Sequence, residues 1–198
     1  MVIPAASKSF SFKQKQSKFV SYFRKCESEY DFKSWLSQVR KDHYDASHIC
    51  WAYRIYENSQ IQQHSSDAGE PSGTAGVPIL RELKRNDFIQ AGLAIARNFG
   101  GTKLGKRGLI DAYSDAAKLV IEKTPVKEWI NYEKYLLTFP INYFGDMSQA
   151  ILSIGGKIIK DKSNIKARWV VEIKLGTLNK LIKAIRTLTK GEGDLEKI

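Results

Sequence analysis

The sequence predicts an α+β protein made of two domains, residues 1–130 and residues 131–198. Three observations predict it. Runs rich in aromatic and β-branched residues, such as His48–Glu57 (HICWAYRIYE), read as strands. Between them lie segments whose apolar residues recur at helical spacing. Thr124-Pro125 then breaks the chain, and a fresh β-α-β-β-α order follows it.

The first predicted strand is Ser17–Phe23 (SKFVSYF), preceded by a basic arm, residues 1–16. Ser28 with an acid three residues on, Asp31, marks a helix start. Phe32, Trp35, Leu36 and Val39 follow at i, i+3, i+4 and i+7, one buried face, and the helix should end near Lys41–Tyr44. After the strand His48–Glu57, residues 58–66 read as a polar hairpin tip or connection. A short helix is expected near Ala75–Lys84, and Phe88–Ala96 (FIQAGLAIA) is apolar enough to be a central strand. In the long helix Leu109–Glu122, Ala112, Ala116 and Ala117 allow close approach to a sheet. The first domain is thus read as α/β, a sheet with packed helices. Residues 126–133 form a linker or an edge element. The second domain reads as strand Tyr135–Ile141, helix Gly145–Ile154, strands Lys157–Asn164 and Lys166–Leu175, and helix Thr177–Leu188. That order is ferredoxin-like up to its last strand. The closing GEGDLEKI is a weak strand, so the sheet has either three strands or a stub of a fourth.

The net charge is +11, and it is unevenly placed. Residues 1–25 hold six basic groups and no acids, residues 26–130 hold 14 of each, and residues 131–198 hold 12 basic and 7 acidic. An excess at the arm and in the C-terminal third suits anionic partners such as RNA or ribosomes, though charge that only serves solubility gives the same balance. No apolar run has the length of a membrane span, so no membrane partner is expected. Cys26 and Cys50 are too few for a disulfide framework, which points to reduced, partly buried thiols and a cytoplasmic location. A basic, serine-containing, acid-free N-terminus also fits an organelle transit peptide, but the strand at Ser17–Phe23 places this region in the fold.

Two glycine-rich segments, Ser66–Leu80 (SDAGEPSGTAGVPIL) and Ala96–Ala117 (ARNFGGTKLGKRGLIDAYSDAA), carry the functional signal. Glycine costs backbone entropy, so it is kept where φ is positive or where something approaches the backbone closely. Gly100–Arg107 reads G-x-x-x-x-G-K-R, one position short of a phosphate-binding loop. That loop needs serine or threonine at its end to hold magnesium, and Arg107 has no oxygen to give. What remains is an anion site of backbone N–H groups and a helix start, at Arg97, Gly100, Gly101, Gly105 and the cations Lys103, Lys106 and Arg107. A tight turn packing a helix onto a sheet would use the same residues. In the first segment Asp67 and Glu70 stand ahead of a helix start, where its dipole stabilises acids. With His48, Arg97 and the nearby His64 they are also the candidates for acid–base work, although no metal site and no cofactor is expected. In the second domain Lys166, Arg168 and Lys174 share one strand face, with Trp169, Val171, Ile173 and Leu175 on the buried one. A basic sheet face suits phosphate contacts.

These segments, with Lys15–Phe19 (KQSKF) and His43–Tyr53 (HYDASHICWAY), resemble the IMPACT family in its two-domain bacterial YigZ-like branch. The resemblance rests on His43, Ala46, His48, Ala52 and Tyr53; on Ser66 to Pro71 followed by Gly73-Thr74-Ala75-Gly76; and on Arg97, Phe99, Gly100, Gly101, Leu104, Gly105, Gly108-Leu109 and Ala112-Tyr113. Two positions depart from the pattern: Ala68 replaces an aspartate, which weakens any metal held by paired aspartates, and Arg107 replaces a frequent glycine. The resemblance implies a first domain of the type shared by a ribosomal small-subunit protein and small-molecule kinases. It implies a second domain similar to the last domain of the translocation elongation factor. The eukaryotic relatives regulate translation through a protein partner, using an additional module. The expected function is therefore a cytoplasmic binding protein that contacts RNA or ribosomes and modulates translation without catalysis. A hydrolase with its site where the glycine segments meet, or a module that binds a protein partner in translation control, are the competing readings.

Overall fold

A computed structural model describes residues 1–198 of the chain. The chain divides into two compact units, Met1–Trp129 and Ile130–Ile198.

Unit 1 is a five-stranded sheet with helices on both faces. Its strands are β2 (Lys8–Gln14), β3 (Ser17–Lys25), β4 (His48–Glu57), β5 (Gln60–Ser66) and β6 (Ala91–Asn98), in the order β2-β3-β6-β4-β5. Every pairing is antiparallel, so the sheet has none of the parallel crossovers that an alternating α/β order would bring. The central strand β6 is the most apolar, as a strand covered on both faces must be. Helix α1 (Glu29–Asp42) packs Phe32, Leu36 and Val39 on one face, against Tyr53, Ile55 and Ala94. Its N-cap is Ser28, whose Oγ accepts from the Asp31 N–H at 3.1 Å. Helices α2 (Gly76–Arg85) and α3 (Gly105–Glu122) cover the other face, where Ile79, Leu83, Ala112 and Ala116 meet Phe19, Phe23, Leu93 and Ile95.

Three expectations change here. The basic arm is folded: β1 (Val2–Pro4) pairs with β7 (Val126–Glu128), and β2 is an edge strand in register with β3 from Lys8↔Phe23 to Gln14↔Ser17. The strand β2 carries little apolar signal because its side chains alternate only between exposed and half-buried, which is the pattern of a sheet edge. Residues 58–66 are not a loop. Asn58 and Ser59, both at positive φ (51° and 62°), make the turn, and β5 follows as the opposite edge. The third change is at α3, which begins at Gly105, one turn earlier than its apolar face begins. Lys106 and Arg107 are therefore helical rather than in a loop.

Unit 2 runs β8 (Tyr132–Pro140), a 3₁₀ turn (Ile141–Tyr143), α4 (Phe144–Ser153), β9 (Lys157–Asp161), β10 (Lys166–Lys174), α5 (Leu178–Leu188) and β11 (Asp194–Lys197). The sheet order is β11-β8-β10-β9, all antiparallel, with both helices on one face. The fourth strand therefore forms. It pairs Asp194↔Thr138 through Lys197↔Tyr135 and buries only Leu195 in part, so its sequence carries little apolar signal. Trp169, Val171 and Ile173 are buried as expected, but Leu175 lies beyond the strand and is 56% exposed.

Candidate functional site

Unit 1 brings the two glycine-rich segments together at the starts of α2 and α3. In the first, Asp67 turns its carboxylate onto the start of α2. Its Oδ1 accepts from the backbone N–H of Ala75 (2.9 Å) and Gly76 (2.8 Å), and its Oδ2 from Gly73 (2.9 Å). Burial would push this carboxyl up, but the three donors outweigh it and hold it below its ordinary value. Asp67 thereby supplies the cap that Ala75, the N-cap residue, cannot. His48 Nδ1 donates to the Ala68 carbonyl at 2.9 Å, and Gly69 stands beside the imidazole.

Glu70 turns inward. It is 8% exposed, and its Oε1 accepts from Arg97 Nη1 at 2.6 Å and from the Tyr113 hydroxyl at 2.9 Å. Arg97, on β6, is 5% exposed. Its Nη2 donates to Ser17 Oγ (3.2 Å), and its guanidinium lies 5.6 Å from the Phe19 ring and 5.4 Å from the Phe99 ring. Its Nε has no partner. Cys50 Sγ lies 3.3 Å from the Tyr113 hydroxyl and 3.0 Å from the Asp67 carbonyl. Burial pushes the Cys50 thiol up to about 12 and the Tyr113 phenol well above its ordinary range. One bonded chain thus links β3, β4, β6, α3 and the first glycine segment.

The second segment is shaped by a close crossing. A Cβ on Gly100 would sit 1.9 Å from the Gln16 carbonyl oxygen, so only glycine lets the chain pass over the β2–β3 turn. Gly101 and Gly105 hold positive φ (91° and 74°) on either side of Lys103. Helix α3 then starts with no side-chain cap and no acid in its first turn, where Lys106 and Arg107 stand instead. Cations at the positive end of a helix dipole are disfavoured unless an anion joins them.

Between the segments lies a cleft of about 420 Å³, lined by residues that include Glu70, Arg97, Phe99, Lys103, Leu104 and Lys106. Of the expected anion-binding residues, Arg97, Lys103, Gly105 and Lys106 line it, while Gly100 and Gly101 shape the loop beside it. Arg107 is exposed on the first turn of α3, outside this lining. Of the acid–base candidates, Glu70 and Arg97 line the cleft but answer each other's charge, and Asp67 and His48 are bonded to backbone. His64 does not join them. It pairs with Tyr53 across β4 and β5, its ring 5.4 Å from the tyrosine, on the α1 side of the sheet.

Unit 2 presents Lys166, Arg168 and Lys174 on the sheet face turned away from α4 and α5. By register, Lys160 stands opposite Val170 and Lys157 opposite Glu172, and Lys134 reaches Glu172 at 3.6 Å. The other edge of that face carries Asp194 and Glu196, so the positive charge gathers toward β9 and β10.

The sequence left three parts of the site unassigned: the Glu70–Arg97 ion pair, the bonds of Tyr113 and Ser17 to it, and the exposed ring of Phe99. The ion pair joins residues 27 positions apart on different elements, and no local spacing announces that. Tyr113 did have a signal, since it shares the buried face of α3 with Leu109, Ala112 and Ala116. A phenol on such a face needs a buried partner.

Comparison with known proteins follows the same residues. The Impact N-terminal domain family model matches residues 15–121, more than half of the chain. IMPACT family member YvyE of Bacillus subtilis (strain 168) is 42% identical over 98 residues, covering 50% of this chain and 45% of that protein, so the match spans under half of that relative. IMPACT family member YigZ of Escherichia coli (strain K12) is 29% identical over 160 residues, covering 80% and 78%. A crystal structure of a hypothetical protein superposes with a TM-score of 0.73 at 24% identity, covering 100% of this chain and 96% of that one, a likeness of fold. No helix is long and apolar enough to cross a membrane. The matched region contains the Glu70–Arg97 pair and both glycine segments, and the chain belongs to the IMPACT family as a YigZ-like member.

Proposed function

We propose that this protein binds RNA, free or in ribosomes, in the cytoplasm and modulates translation without catalysis. The observation that carries the reading is the start of α3: uncapped, free of acids, bearing Lys106 and Arg107, and opening with Lys103 and Arg97 on a cleft. A phosphate supplies the negative charge that this helix end lacks. The basic half of the unit 2 sheet face, with Lys166, Arg168 and Lys174, adds a second set of backbone contacts, as expected for a domain of the elongation-factor type. Translation enters through the family, whose eukaryotic relatives regulate it. The reading without catalysis is supported by the bonding of the acid–base candidates. Asp67 caps α2, His48 holds a carbonyl, and Glu70 and Arg97 neutralise each other.

The test is ribosome co-sedimentation and filter binding of ribosomal RNA across a salt series. Binding should weaken steeply as salt rises. The triple variant Lys103→Ala, Lys106→Ala, Arg107→Ala should shallow the log–log slope by about 0.7 to 0.9 for each phosphate it no longer neutralises. Binding that ignores salt, or no binding at all, rejects the proposal.

A further inference from the structure

We infer that the unit 1 cleft accepts one unstacked nucleotide of a single-stranded RNA, with its base on the ring of Phe99 and its phosphate between Lys103 and Lys106. This rests on the RNA-binding reading above and names the form of RNA that the same site selects.

Phe99 carries the inference. It is 46% exposed and lines the cleft. Its backbone N–H donates to Ser47 Oγ at 3.1 Å, and Arg97 lies 5.4 Å from its ring. Arg97 is in turn fixed by Glu70 and Ser17. An aromatic ring beside a buried cation, on a residue that is nearly half exposed, is a ready stacking platform. Bases stack on such rings with little regard to sequence, since every base has a π-face.

The surroundings match the rest of a nucleotide. Lys103 and Lys106 line the same cleft and provide charge for one phosphate at the start of α3. Arg97 lines the same cleft, with its Nε buried and without a partner beneath that wall. At about 420 Å³ the cleft falls in the size range of small-molecule sites, roughly 300–1,000 Å³. A duplex cannot use it in this way. Its bases are covered on both faces by their neighbours, and A-form RNA presents only phosphates, hydroxyls and groove edges. The geometry therefore discriminates by strandedness rather than by sequence.

The test compares a fluorescently labelled single-stranded RNA 12-mer with the same strand in a duplex, by anisotropy at fixed salt, using the full chain. Wild type should bind the single strand about 10-fold or more tightly than the duplex. Phe99→Ala should weaken single-strand binding by about 5- to 100-fold. It should leave duplex binding and the salt slope unchanged, and Phe99→Tyr should restore the affinity. Lys103→Gln with Lys106→Gln should shallow the salt slope while the ring is intact. Protection of Cys50 from thiol reagents confirms that each variant is folded. Equal affinity for the two forms, or a Phe99→Ala variant that binds the single strand like wild type, overturns the inference and leaves the general RNA reading standing. Absence of salt-dependent binding to both forms overturns the two together.

Discussion

Replacing Arg97 by methionine removes the guanidinium that lies against Glu70 and keeps a side chain of similar reach between Phe19 and Phe99. Both side chains of the ion pair are almost fully buried, at 6% and 3% exposure. Glu70 Oε1 would keep a single donor, the Tyr113 hydroxyl. Breaking one side of a buried pair costs about 3–5 kcal/mol, because the remaining charge has neither water nor a counter-ion. The absent stacking of the guanidinium on two rings adds about 1 kcal/mol. Glu70→Gln leaves the buried Arg97 charge without its counter-ion and should also cost about 3–5 kcal/mol, although the amide oxygen still accepts from Arg97 and Tyr113. The double variant leaves no uncompensated charge. It should therefore be more stable than Arg97→Met alone, with a coupling of about 2 kcal/mol or more. The readout can be confined to unit 1. Cys26 and Cys50 both lie there and both are buried, so pulsed thiol labelling across a urea series reports its unfolding alone. A cost below about 1 kcal/mol for Arg97→Met, or a double variant equal to the sum of the singles, would refute this account of the buried pair.

Native labelling itself provides a check. Burial pushes both thiols up to about 12, so at pH 8 neither should react faster than unit 1 opens, and a rapid burst of labelling would contradict the packing. Gly100→Ala places a Cβ 1.9 Å from the Gln16 carbonyl and should cost at least about 2 kcal/mol in the same assay, whereas Gly145→Ala, with open space around it near the start of α4, should be neutral or gain up to about 1 kcal/mol by circular dichroism. Asp67 has a folded value depressed below its ordinary 3.8, so its contribution is complete above that pH and is lost as pH falls through the depressed value. Asp67→Asn keeps only one acceptor oxygen for three backbone donors and should accordingly cost about 1–3 kcal/mol at pH 7 and flatten the stability curve below pH 4, as measured by urea titrations followed by circular dichroism. An unchanged acid limb would show that the α2 cap does not depend on this charge.

What was legible in the sequence follows from how local each cause is. Ser28 and Asp31 name the start of α1 because a cap and its donor lie three residues apart. His48–Glu57 reads as a strand end to end because its two faces meet two cores, Cys50 and Ala52 on one side and Trp51, Tyr53 and Ile55 on the other. The edge strands β2 and β5 were hidden for the opposite reason: neither buries a full face, so Lys8–Gln14 and Gln60–Ser66 look like polar loops. At α3 the apolar face starts at Leu109, and nothing apolar marks the extra turn from Gly105. The site was half readable. The cations at 103, 106 and 107 and the glycines that shape the loop stand in one segment. Glu70 and Arg97 meet only because β6 runs beside β3 and β4, which is a property of the whole sheet.

The pairing of β1 with β7 has a temporal consequence. Val2, Ile3 and Pro4 pair with Glu128, Lys127 and Val126, which lie at the far end of unit 1 along the chain. On its other side Val2 is held to the segment after α2, donating its N–H to the Asp87 carbonyl (3.0 Å) and accepting from the Ile89 N–H (2.9 Å), so only the β7 side of the strand waits for the distant partner. Contacts so distant along the chain carry a loop-closure cost that slows their formation. The clasp between β1 and β7 is therefore expected to close late in the folding of unit 1.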